Sequence, residues 1–254
     1  MTENQSNLSP KELYEQEREA RQKQKNSNSS ASASSGGNSG RKLWPWLLAV
    51  LILAGTVFGL YKLATVTPPG AGAVAGKLAD PVTAADWTAG SQESPVQLVE
   101  YGDFQCPACA FYATWVTQLR EEFGDKIGVT FRHFPLRQNH ANAQLASQVV
   151  EAAGLQGKFW LAADAIYAGQ QAWSEQIAAR ETLVNLIKNT GVNLTKLEVD
   201  IDTKIVKDKI EQHYQSGLRS GVEGTPTFYL NGGKITNPKS YDEFKKLITD
   251  ALSA

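Results

Sequence analysis

Two cysteines, one methionine and three histidines are the whole supply of soft or switchable ligands in 254 residues. Two cysteines are too few for a disulfide-stapled scaffold. They are also too few for a Cys-rich zinc site, unless His133, His140 or His213 joins them from a distance. The formal net charge is -1, so no global basic field points to nucleic acid. No internal repeat is present. Large apolar residues are nearly missing from residues 1–42: Ser9-Pro10-Lys11-Glu12 has the pattern of a capping box, but the Lys, Arg, Glu and Gln that follow leave no face to bury. Asn26 to Gly40 is almost entirely Ser, Asn, Gly and Ala. Residues 1–42 are therefore expected to be a disordered tail.

Charge is missing altogether from Leu43 to Tyr61, a run of 19 residues. As a helix this run spans roughly 28 Å, close to the ~30 Å hydrocarbon core of a bilayer. Trp44, Trp46 and Tyr61 stand at its ends, where aromatic rings settle at membrane interfaces. A cleaved signal peptide ending at Ala73-Val74-Ala75 is the competing reading, but the leading 42 residues and the length of the apolar run favour a permanent anchor over residues 43–62. Lys23, Lys25, Arg41 and Lys42 precede the run; only Lys62 and Lys77 follow it closely. That bias keeps the N-terminus in the cytoplasm and puts the rest of the chain outside, in an oxidising compartment. Residues 63–79, with Pro68-Pro69 and many small residues, form a spacer, and a folded unit is expected over 80–254.

What is present in that unit is ample for a core: the chain is 42% hydrophobic, with 6 Trp, 8 Tyr and 9 Phe. Both cysteines fall in Cys106-Pro107-Ala108-Cys109. The apolar run from Val96 to Tyr101 precedes them, and Phe111, Tyr112, Trp115, Val116, Leu119 and Phe123 follow at helical spacing up to Gly124. The pair thus lies where a strand gives way to a helix, with Pro107 at a position where its missing N–H is harmless. Free backbone N–H groups at such a start, those of Ala108 included, favour a thiolate at Cys106. Further on, Ile127 to Phe134 reads as a second strand. Helical segments follow: Asn139 to Gly154, Phe159 to Ala168, Arg180 to Asn189 and Thr203 to Leu218. Thr227 to Leu230, an Asn231-Gly232-Gly233 turn and Lys234 to Thr236 read as a hairpin, and Ser240 caps a last helix. The order predicts an α/β sheet with a helical insertion at about 138–219.

Two further features bear on chemistry. Glu100 lies in an otherwise apolar strand, on the same side as Leu98, where an acid is expensive to bury. It is either a proton carrier for the deeper sulfur, Cys109, or a solvated edge acid. Gly224-Thr225-Pro226-Thr227 immediately precedes the hairpin. A cis bond before Pro226 would turn the backbone of Thr225 toward a neighbouring loop, leaving its N–H and C=O for an extended thiol substrate. His133 reads as structural, His140 as a packing or capping residue and His213 as solvated. Trp115, Trp160 and Trp173 read as core, and Asn193-Leu194-Thr195 as a chance sequon.

The segment from Ser94 to Cys109 resembles the active-site segment of the DsbA-like thiol-disulfide oxidoreductases, in their membrane-anchored bacterial branch. Phe131-Arg132-His133-Phe134-Pro135-Leu136, Gly157-Lys158-Phe159-Trp160 and Gly221 to Thr227 match the family in order, so that the resemblance covers roughly 80–251. It implies a thioredoxin fold with a helical insertion, a nucleophile at Cys106, a resolving Cys109, a cis Pro226 and a buried acid at Glu100. The cofactor implied is none beyond a redox-active Cys106–Cys109 disulfide. The partners implied are exported proteins with free thiols and a membrane quinone-linked thiol oxidase as reoxidant. Many family members carry His between the cysteines where this chain has Ala108, so oxidising strength does not follow from the resemblance. A Cys106 pKa of ~4, within the range of about 3.5–7.5 for activated cysteines, would stabilise the reduced form by ~4 kcal/mol at pH 7, or roughly 90 mV toward an oxidant. The alternatives are a disulfide reductase or isomerase on the same scaffold, and a metal-binding module holding Cu(I) on the cysteine pair.

Overall fold

The strand that leads to the cysteines, β2 (Gln97–Gly102), is at the centre of a five-stranded sheet in the computed structural model, which describes residues 76–254. Around it are β1 (Trp87–Gly90), β3 (Gly128–His133), β4 (Thr227–Leu230) and β5 (Gly233–Lys234), in the order β1-β3-β2-β4-β5. β2 and β3 are parallel, joined by helix α1 (Pro107–Phe123); the other pairings are antiparallel. The expected hairpin is present, and its tight turn is supplied by Asn231 and Gly232, both at positive φ as a two-residue hairpin loop requires. The edge strand β1 was not legible in the sequence. Lys77 bridges Gly233, so the chain is pinned to the sheet before Asp80. The expected tail, the anchor at 43–62 and most of the spacer lie outside the described residues; among the described residues no helix is long and apolar enough to cross a membrane.

Between β3 and β4 runs the insertion: α2 (Ala143–Gly154), α3 (Phe159–Ala168), α4 (Gln170–Trp173), α5 (Arg180–Ile187), α6 (Leu194–Asp200) and α7 (Lys204–Ser220). The last helix, α8 (Tyr241–Leu252), starts where expected: Ser240 Oγ accepts from the Glu243 N–H, and the Glu243 carboxylate reaches back to the Lys239 N–H. Leu98 and Val129 pack with Val116 and Leu119 of α1 and with Phe244 and Ile248 of α8. Val99 and Tyr101 point the other way, toward Phe134, Val222 and Tyr229. The largest core cluster joins the region around the two cysteines to the insertion, because Phe104, Cys109 and Phe131 share it with Val149, Phe159, Ile166 and Trp173. The insertion and the sheet thus bury one continuous apolar mass, the dominant favourable contribution to folding.

His213 corrects the sequence reading: it is buried, not solvated. It stands on the inward stripe of α7 with Val206, Ile210 and Gly217, and Lys209, one of the charged neighbours that suggested a wet face, is itself drawn in beside Asp86 and Glu151. Its Nδ1 accepts from the His133 N–H, and its Nε2 lies 3.3 Å from Asp86 Oδ1. Burial pushes its pKa down to about 3, so the ring is neutral. Asp86 also takes two hydrogen bonds from Arg132, at 3.0 and 3.1 Å. His133 is structural: its Nε2–H donates to Glu151 Oε2 at 2.9 Å, beside the indole N–H of Trp87 at 2.8 Å. Trp173 is core; Trp115 and Trp160 are only part-buried, Trp160 lying beneath the guanidinium of Arg120 at 4.4 Å.

Candidate functional site

Cys106 is the N-cap of α1, with Pro107 in the first turn; Pro107 and Ala108 are exposed beside it. Both cysteines are free thiols. Their surroundings differ: Cys106 is 7% exposed and Cys109, one helical turn inward, is fully buried. A hydrogen bond from the Cys109 thiol is the largest influence on Cys106. Burial opposes it, the Thr225 side chain and the backbone N–H groups of Cys109 and Ala108 add to it, and the Cys106 pKa falls to about 5. The direction is the one expected from the sequence, but the backbone N–H groups of the helix start are the smaller contributors and the Cys109 thiol the larger. Burial pushes Cys109 well above the usual thiol range, helped by the same hydrogen bond and by the Glu100 and Cys106 charges.

The Thr225–Pro226 peptide is cis, and the Cys106 thiol donates to Thr225 O at 3.4 Å. The two motifs, over a hundred residues apart in sequence, therefore meet at the sulfur. Glu100 is 2% exposed, on the face of β2 that carries Leu98. It pairs laterally with Phe131 on β3 and Phe228 on β4. Its Oε1 has no hydrogen-bond partner. Burial therefore raises its pKa to about 8; the Arg120 charge pulls the other way and a Cys106 thiolate adds to the rise. Of the two readings of Glu100, the edge acid is excluded by its burial on the central strand. Gly102, two residues on, has no room for a side chain: a Cβ there would stand 2.5 Å from the Phe131 ring and 3.1 Å from Glu100 Oε1.

Several residues at the site gave no signal in the sequence. Asp103 is fully buried; its N–H donates to Cys109 Sγ at 3.5 Å, and its carboxylate accepts from the Gln105 N–H, the Leu136 N–H and His140 Nδ1. His140 thus packs against the loop that leads to Cys106, just ahead of α2. Gln105 and Gln170 tie the same loop to the insertion. Tyr167 lies against Phe104, its hydroxyl unpartnered, and burial pushes its pKa far up. Among the described residues no group of three His, Cys, Asp or Glu is placed to hold a metal ion. What the arrangement offers chemically is a readily ionised sulfur near the surface next to a fully buried one that holds its proton, with a neutral acid beneath.

The family model described as thioredoxin matches residues 83–250. Among curated relatives, a probable disulfide bond formation protein D of Bacillus anthracis is 30% identical over 168 residues, covering 64% of this chain and 76% of that protein. A Na(+)/H(+) antiporter NhaA of Herminiimonas arsenicoxydans is 31% identical over 169 residues, 66% of this chain but only 25% of the antiporter, so the chain spans a quarter of that relative. Among solved structures, oxidised BdbD from Bacillus subtilis superposes with a TM-score of 0.62 at 23% identity, covering 72% of this chain and 99% of that one. Alpha-DsbA1 of Wolbachia pipientis gives 0.59 at 19% identity, over 66% and 91%. These two share the fold.

Proposed function

The chain belongs to the thioredoxin family as a DsbA-like thiol-disulfide oxidoreductase, and from that premise we propose that it is an extracytoplasmic oxidase that introduces disulfides into exported proteins. The observation that carries the reading is the split between the sulfurs, with Cys106 at a pKa of about 5 and Cys109 well above the thiol range. In the oxidised enzyme a substrate thiolate attacks Cys106 Sγ; the Cys106–Cys109 bond breaks and a mixed disulfide forms on Cys106. The departing Cys109 sulfur takes a proton, which Glu100, protonated at neutral pH, supplies from below. A second substrate thiolate then attacks the substrate sulfur of the mixed disulfide. Cys106 leaves as a thiolate, the substrate has lost two electrons, and the enzyme holds them as one thiol and one thiolate. Thr225 lies beside this sulfur to pair its backbone with the substrate chain.

A Cys106 pKa of about 5 favours the reduced enzyme at pH 7 by ~2 pKa units. That is about 2.7 kcal/mol, or ~60 mV toward an oxidant, a smaller push than a pKa of ~4 would give. The charge bias around residues 43–62 supports an anchored domain outside the membrane, and a membrane quinone-linked thiol oxidase is the proposed acceptor of the two electrons. The test is the potential of the Cys106/Cys109 couple against glutathione. We expect roughly -210 mV, some 60 mV above a thioredoxin-like value of about -270 mV; a result at the latter would favour a reductase or isomerase.

A further inference from the structure

Gln170, the first residue of α4, sends its side chain across to the redox loop. Its Nε2 donates to Phe104 O at 2.8 Å and to Cys106 O at 3.0 Å. Gln105, between those two residues, reaches the opposite way: its Nε2 donates to Ser174 O at 2.6 Å, and its Oε1 accepts from the Asn142 N–H at 2.7 Å. Two glutamines therefore clasp the loop and the insertion from both sides. The Cys106 carbonyl held by Gln170 is the same one that accepts the first intrahelical bond of α1, from the Ala110 N–H at 3.1 Å. We propose that Gln170 is a positioning residue for the nucleophile: by bridging Phe104 O and Cys106 O it fixes the twist of the loop that holds Cys106 Sγ over the Ala108 and Cys109 N–H groups and beside Thr225.

The physical case has three parts. Two carbonyl oxygens within 3.0 Å of one nitrogen converge, and without a shared donor they repel. Relief by rotation of the loop carries Cys106 Sγ with it, away from the helix axis where its donors lie. The bridge is also local to the surface. A pocket of about 490 Å³ opens beside it, lined by Gln105, Pro107 and Gln170 among others, and Gln170 is part-exposed. A change at position 170 therefore leaves the apolar core in place. None of this depends on the side chain of Ala108; the insertion supplies a positioning contact from outside the cysteine motif.

The inference rests on the oxidoreductase reading, and its test separates the two. In the full chain, Gln170→Met keeps the length of the side chain and removes the donor; Gln170→Glu also removes it and adds a negative charge. The readouts are thiolate absorbance against pH and the pH profile of the reaction of reduced protein with a small aromatic disulfide. We expect the Cys106 midpoint to rise from about 5 by about one unit in Gln170→Met, the worth of one hydrogen bond, with a roughly threefold slower reaction well below both midpoints, where a smaller thiolate fraction is partly offset by a more nucleophilic thiolate, and to rise further in Gln170→Glu. Midpoints unchanged in both variants, even with lowered melting temperatures, would make Gln170 a structural tie only and overturn the inference. If Gln170→Met does not fold, the Gln170→Glu midpoint decides. Absence of Cys106-dependent exchange in the parent chain would overturn the oxidoreductase reading instead.

Discussion

The backbone N–H of Asp103 donates to Cys109 Sγ at 3.5 Å, and the side chain of the same residue gathers three donors, one from its own loop and two from the stretch Leu136 to His140. The buried sulfur is therefore held by a residue that is itself held.

Asp103→Ala removes the acceptor for the Gln105 and Leu136 N–H groups and for His140 together. Hydrogen bonds to a buried charge are worth about 1.5–3 kcal/mol each, less whatever solvent recovers. The expected loss is about 3 kcal/mol in the reduced chain, read by denaturant unfolding; a loss below ~1 kcal/mol would show that the carboxylate is not the keystone of the loop.

Cys106 is expected to ionise near pH 5, seen as thiolate absorbance in the reduced chain and absent in Cys106→Ser. Its folded pKa is depressed, so its contribution to stability is complete above the ordinary thiol value of 9.0 and is lost as pH falls toward about 5. The stability difference between the reduced parent and Cys106→Ser should thus widen with rising pH across that window, by at most about 1.4 kcal/mol per unit. A difference independent of pH would mean that the thiolate is not stabilised by the fold.

Glu100→Gln should keep the fold and slow the release of Cys109 by roughly 10²-fold, the lower end for general acid–base catalysis. The sign on stability is opposite to that of Cys106. The Glu100 pKa is raised from 4.5 to about 8, so its favourable contribution is complete below 4.5 and lost as pH climbs through 8. The variant should gain on the parent between those values. The two slopes oppose each other, so the contributions of Cys106 and Glu100 largely offset over pH 5–8 and each variant unmasks the other group. Unchanged exchange rates would remove Glu100 from the proton path.

His213→Leu tests the second buried cluster. The folded pKa of His213 is about 3 against an ordinary 6.5, so its contribution is complete above 6.5 and lost as pH falls through 3. Leucine cannot take up the proton, and Asp86 keeps its two bonds from Arg132. Acid unfolding of the variant should be shallower over that window, by up to about 4 kcal/mol at its foot; parallel curves would show that the imidazole is not the acid-sensitive group.

How much of this was legible in the sequence depended on the range of the interaction. The strand-to-helix placement of Cys106 is local, and so are the alternation that puts Glu100 beside Leu98 and the Asn231-Gly232 turn; each is encoded within a few residues. β1 is four residues at an edge, Trp-Thr-Ala-Gly, with too few β-branched positions to register. The bonds of Asp103, Gln105 and Gln170 link side chains to backbone groups tens of residues away, and no periodicity reports them. His213 is the instructive case: Val206, Ile210, His213 and Gly217 follow a helical stripe, but charged neighbours at Lys209 and Glu211 masked it.

The unequal burial of the two sulfurs also sets the proton inventory of the redox couple. Above about pH 5 the reduced pair retains a single proton, on Cys109. Reduction then consumes two electrons and one proton, and the potential falls by ~30 mV per pH unit, against ~59 mV for a client dithiol that keeps both protons. The equilibrium with such a client therefore shifts by ~30 mV toward client oxidation for each unit of rising pH, and acidification shifts it back without touching a single contact in the site.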